Sequence, residues 1–153
     1  MVPSGRPSKV PSLEPSSKPS VDDFVENIPL RDLLAQTLTT DASLTTKGTP
    51  QNRAYRTLSE TNADLDPINP IDRIEILERY SLVTFYFATE GNNWETNTAW
   101  ATSSHPCGGE VEIPWFGLTC DETQTHVEDI EIVSNGMAGE IASEIRGLVR
   151  LSE

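Results

Sequence analysis

The sequence predicts an α+β chain with an unstructured front, and three observations predict it. Two helix-start signals, Thr49-Pro50 and Asn69-Pro70, each set a capping side chain directly before a proline. Near the end, Ile130 and Ile132 alternate with Asp129, Glu131 and Val133, the period of a short strand with one buried face. At the front, a proline recurs at every fourth place from Pro3 to Pro19.

That front segment, Met1 to Ser20, repeats Pro-Ser followed by two variable residues. Proline at this interval interrupts helix and sheet ladders and favours an extended, polyproline-like chain. Two readings of it stay open: a plain disordered linker, or a Ser/Pro stalk bearing O-glycans. It resembles the Pro-Ser-x-x arrays of algal cell-surface proteins. The chain has no N-x-S/T sequon. Val21 to Gly48 is acidic and then rich in Thr and Ser. Within it Leu30, Leu33, Leu34 and Leu38 fall on one side of a short helix over Pro29 to Leu38. Residues 1–48 are therefore read as a disordered stalk and acidic linker, with the folded part starting near Thr49.

From Thr49 the reading is helical. A first helix runs through Ala54, Tyr55 and Leu58. The second starts at Asn69-Pro70, with Asp72 favouring its positive N-terminus. Ile71, Ile74, Leu77, Ser81 and Phe85 trace one side of it, and Ile76, Tyr80, Val83 and Phe87 a neighbouring side. So broad an apolar face predicts the most buried element of the fold, ended by Gly91 as C-cap. A loop-rich segment follows and holds all three tryptophans, Trp94, Trp100 and Trp115.

Charge excludes one class of function. The net charge is −13, and Met1 to Ser20 carries three basic residues against Glu14, so the remainder holds −15. Such a surface repels phosphates and anionic headgroups, which excludes nucleic acid as a partner. No apolar run approaches the ~20 residues of a membrane span, and no apolar h-region of a cleavable signal is visible. Taken literally, that places the chain in the cytosol. Hydrophobic content of 36% agrees with a partly unfolded chain.

Catalytic motifs are missing too. The acidic residues show no paired placement for general acid and base, and no phosphate-cradling loop or nucleophile elbow is present. His105 lies near Cys107, but a zinc site needs about four ligands and only Cys120 offers a third. His105 and His126 are read as loop residues. No metal, cofactor or catalytic residue is expected. The two cysteines allow one intramolecular bridge or two reduced thiols, and the residues alone leave both open.

The end of the chain is more specific. Val127, Ile130, Ile132, Asn135, Met137, Gly139, Ile141, Ile145, Leu148 and Leu151 fill the frame L-x-x-L-x-L-x-x-N-x-L-x-G-x-I-x-x-x-I-x-x-L-x-x-L. This resembles one leucine-rich repeat of the plant type. Ahead of it, Trp115-Phe116-Gly117-Leu118-Thr119-Cys120 resembles the second half of that family's C-x-W-x-G-V-x-C cap motif, with Leu118 for Val. The first half departs, because Gly108 to Pro114 separates Cys107 from Trp115. The resemblance runs from about Thr49 to Glu153.

What it implies is stated here as expectation. Residues 49–125 would be a helical, disulfide-containing cap, and 126–153 the first coil of a leucine-rich-repeat solenoid and the start of a second. Cys107 and Cys120 would be bridged, which requires an oxidising compartment. Trp94, Trp100, Trp115 and Gly117 would build the cap. Asn135 would bond backbone groups of adjacent coils, and Gly139 would allow a tight bend. Asp129, Glu131 and Val133 would line a concave face that takes a protein, peptide or glycan ligand. One repeat cannot bury its own faces, so the chain would be the front of a longer, non-enzymatic, receptor-like protein. Its setting would be extracellular or cell-surface, reached through a signal or membrane anchor outside this sequence. The alternatives are a cytoplasmic scaffold with reduced thiols, or the ectodomain of a receptor kinase whose catalytic domain lies beyond Glu153.

Overall fold

Helix starts are local events, and four helices among the described residues begin with the same device. The computed structural model describes residues 24–151. It contains α1 (Ile28–Thr37), α2 (Asp41–Thr45), α3 (Pro50–Thr61), α4 (Pro70–Ala88), β1 (Leu118–Cys120) and β2 (Val127–Ile130). Short 3-10 turns lie at Gly91–Asn93 and Ser143–Gly147. Asn27, Thr40, Thr49 and Asn69 each accept a backbone N–H from the first turn of the helix that follows. Each such cap contributes about 1 kcal/mol. Pro29, Pro50 and Pro70 occupy first-turn places where a missing N–H costs nothing.

Helix α4 is the centre. Nearly every residue from Ile76 to Tyr86 is buried, so this stretch is enclosed all round rather than on one stripe. α3 and the Ser143–Gly147 turn make its most extensive contacts. Ser81 and Thr84 are fully buried within it, and Ser81 Oγ donates back to the Leu77 carbonyl at 2.8 Å.

The expected end of α4 is off by a residue or two. Thr89 caps it, donating its N–H to the Phe85 carbonyl, and Glu90 takes the left-handed conformation (φ 58°) instead of Gly91. Gly91 is needed for another reason: a Cβ there would lie 2.0 Å from the Tyr86 ring.

The front of the described region is packed, not a linker. α1 presents Leu30, Leu33 and Leu34 to the core, joined by Leu38 just beyond it, and α2 adds Leu44 at 0% exposure. The one-sided leucines of α1 were legible in sequence, and of the two outcomes they allowed, docking on the following domain or forming only transiently, the helix is docked. The Pro-Ser array, read as a disordered stalk, lies outside the described residues.

The solenoid expectation is corrected. Four helices and one two-stranded antiparallel sheet make up the described residues, with no repeat solenoid. β2 pairs with β1, the segment just before it, whereas stacked coils would pair their strands in parallel. Leu118 faces Ile130 and Thr119 faces Asp129, but Cys120 faces Val127, so Glu128 is the extra residue of a bulge. After β2 the chain does not return as a closed coil. Met137 is 43% and Ile141 66% exposed, and they line an open apolar groove with Phe85, Ile130 and Ile132. A single copy of the frame has no second coil to cover those side chains.

Candidate functional site

The three tryptophans form the wall on which the loops are hung. Trp94 and Trp100 meet at 5.1 Å between ring centroids, and Trp100 and Trp115 at 5.3 Å, with Phe85 and Tyr86 alongside. Every indole N–H has an acceptor: Trp94 the Thr89 carbonyl, Trp100 the Phe116 carbonyl and Trp115 the Ser104 carbonyl. A buried indole without a partner would cost about 1–3 kcal/mol, so these bonds place the backbone of 89–116 around the rings.

Cys107 and Cys120 are joined by a disulfide, with Cα atoms 5.9 Å apart. The insertion from Gly108 to Pro114 is accommodated as a surface excursion. Trp115 N–H bonds the Pro106 carbonyl and brings the chain back beside Cys107. Gly117 stands at φ 81°, where a Cβ would meet the Glu131 carbonyl at 2.7 Å. Only a glycine lets Glu131 N–H reach the Gly117 carbonyl at 2.7 Å there.

Asn135 is buried and its amide is fully used, but not between coils. Its Nδ2 donates to the Thr96 carbonyl and its Oδ1 accepts the Thr96 N–H. Gly139 is pressed against the end of α4. Asp129, Glu131 and Val133 stand exposed on the hairpin and its continuation. Asp129 turns its carboxylate onto the following N–H, that of Ile130.

Both histidines, read from sequence as lone loop residues, rest on acidic side chains of α4. His126 Nδ1 lies 3.1 Å from Glu78 Oε2, and His105 Nε2 lies 3.9 Å from Glu75 Oε1. His105 Nδ1 accepts the Cys107 N–H at 3.0 Å, so the neutral ring carries its proton on Nε2, facing Glu75. Burial holds the His105 pKa below its ordinary value, opposed by Glu75. Burial raises that of Glu78, opposed by its hydrogen bond with His126. The Thr125 N–H, together with the His126 N–H and the Thr123 hydroxyl, holds Asp121 at about 2. Among the described residues no group of three or more His, Cys, Asp or Glu is placed to hold a metal ion.

Next to this row a polar recess of about 200 Å³ opens between the end of α3, α4 and the disulfide loop. Asn62, Asp64, Glu75, Arg79, Ser103 and Glu112 line it. Arg79 is only 5% exposed. Its Nη2 donates to the Thr102 carbonyl at 3.0 Å, and its Nη1 lies 3.5 Å from Glu75 Oε1. Burial lowers the Arg79 pKa, against the pull of Glu75. None of these six was singled out from sequence. The signal that could have found the site was Glu78-Arg79, two charges inside the most apolar helix of the chain.

Comparison with known proteins returns no match: no family model, no curated protein and no solved structure corresponds to this chain.

Proposed function

We propose that this chain is a non-catalytic binding module of a secreted or cell-surface protein, recognising a protein, peptide or glycan. The observation that carries the reading is the Cys107–Cys120 disulfide closing a loop over a tryptophan wall. Disulfides persist in oxidising compartments, and small extracellular domains use them to hold binding loops on a rigid base. No described helix is long and apolar enough to cross a membrane. The likeness of Trp115–Cys120 to the cap motif of plant-type leucine-rich-repeat proteins supports a receptor-like role. Fold alone does not dictate that role.

Two measurements test the reading. Protein recovered from its source cells is alkylated under denaturing, non-reducing conditions, and the expected result is no free thiol. Two free thiols would favour an intracellular scaffold instead. The purified oxidised chain is then screened against arrayed extracellular proteins, peptides and glycans. Saturable binding with the ligand recovered unchanged is expected, whereas chemical conversion of the ligand would overturn the non-catalytic reading.

A further inference from the structure

The recess beside Arg79 has donors with nothing to bond. Arg79 Nε and Asn62 Nδ2 are both buried and have no hydrogen-bond partner, and both residues line this same recess. An unpaired buried donor costs about 1–3 kcal/mol, and native folds tolerate few of them. The two belong to residues that line one recess, and Arg79 is only 5% exposed.

The charges around them narrow what acceptor would suit these donors. Asp64, Glu75 and Glu112 outnumber the single guanidinium, so a free anion would be repelled. A purely cationic group would find carboxylates but would leave both donors unpaired. A neutral hydroxyl answers both demands, because it accepts from Asn62 or Arg79 and donates to a carboxylate. Glu112 already receives the His105 N–H on Oε2 and keeps its other oxygen for such a bond. Ser103 adds a hydroxyl of its own. Drug-sized ligands need about 300–1,000 Å³, so a recess of about 200 Å³ suits a single ring.

We propose that this recess binds one neutral hexose unit of a glycan through Asn62, Asp64, Arg79, Ser103 and Glu112. The assignment rests on the binding-module reading and narrows its ligand to a sugar. Both unpaired nitrogens are buried, so in the proposed complex the Asn62 amide and the Arg79 head turn toward the sugar.

The experiment is an amide-resolved NMR titration of the full oxidised chain with glucose, galactose, mannose and N-acetylglucosamine, each to 50 mM. At least one sugar should give saturable shifts centred on the amides of Asn62, Asp64, Ser103 and His105. Asp64→Ala removes an exposed carboxylate, and Ser103→Trp fills the recess. Each should weaken binding roughly tenfold or more, the equivalent of one lost charge-assisted hydrogen bond, with the remaining spectrum unchanged. Arg79→Met should abolish it. No saturable shift with any of the four sugars overturns the proposal. So does binding that survives both Asp64→Ala and Ser103→Trp, or acetate binding more tightly than every sugar. A chain that captures a protein partner but none of these sugars fails this assignment and leaves the binding-module reading standing.

Discussion

Asn135 and Thr96, 39 residues apart in the chain, exchange two hydrogen bonds of 2.7 Å. A third bond, from Glu95 N–H to the Asn135 carbonyl at 3.1 Å, extends the pairing. One side chain thus ties the segment after β2 to the loop after α4. Asn135→Ala removes both partners of the Thr96 backbone and should destabilise the fold by about 2–4 kcal/mol. Asn93→Ala, whose amide reaches only an exposed Glu90 carboxylate, should cost less than about 0.5 kcal/mol. Urea unfolding followed by tryptophan fluorescence measures both. Equal midpoints for the two variants would show that the Thr96 pairing contributes nothing.

Reduction of the disulfide should be felt across the tryptophan wall. The bridge joins residues 13 apart in sequence, and closing a loop of that size restricts the unfolded chain by about 3 kcal/mol. The Cys107→Ser/Cys120→Ser variant should unfold at lower urea by that amount. A change in Trp115 emission is expected as well, because Trp115 N–H is held by Pro106, next to Cys107.

Stability should depend on pH in two windows. Burial lowers the folded-state pKa of His105, so the unfolded chain takes up that proton first. His105 therefore contributes stability above its ordinary value of 6.5 that is lost as pH falls through it. Glu78 acts in the opposite sense, since its pKa is raised by burial and its proton uptake favours the folded state as pH falls. His105→Asn should flatten the fall in melting temperature between about pH 7 and 5, and Glu78→Gln should steepen it. Asp121, held at about 2, contributes above the ordinary carboxylate range and loses this as pH falls toward 2. Asp121→Asn should flatten the steep loss below about pH 4. Melting curves across pH check all three slopes.

Two glycines with left-handed backbones separate steric from conformational cost. At Gly139 (φ 97°) a Cβ would lie 2.2 Å from the Ala88 carbonyl oxygen, while at Gly48 (φ 90°) nothing lies within 4 Å. Gly48→Ala should cost only backbone strain, about 1–2 kcal/mol. Gly139→Ala must also push α4 and the 135–141 segment apart, and should cost about 4 kcal/mol or more. Denaturant midpoints for the pair give the comparison.

What the sequence determined by itself is local. Thr49-Pro50 and Asn69-Pro70 start α3 and α4 because a cap needs only its own side chain and the next few N–H groups. The enclosed character of α4 was legible from apolar residues on two adjoining sides. The five residues of α2 were not, because a helix that short persists only while Leu44 is held in the core by its neighbours. The apolar frame from Val127 to Leu151 showed which side chains seek cover, but not what covers them. With β2 paired to β1 and Asn135 bonded to Thr96, Val127 and Leu148 are buried while Met137 and Ile141 stay in an open groove. Likewise no spacing joins Asn62, Arg79 and Ser103. They meet because α3 packs along α4 while the tryptophan wall sets the disulfide loop across both, and contacts between distant segments leave no periodic trace in the chain.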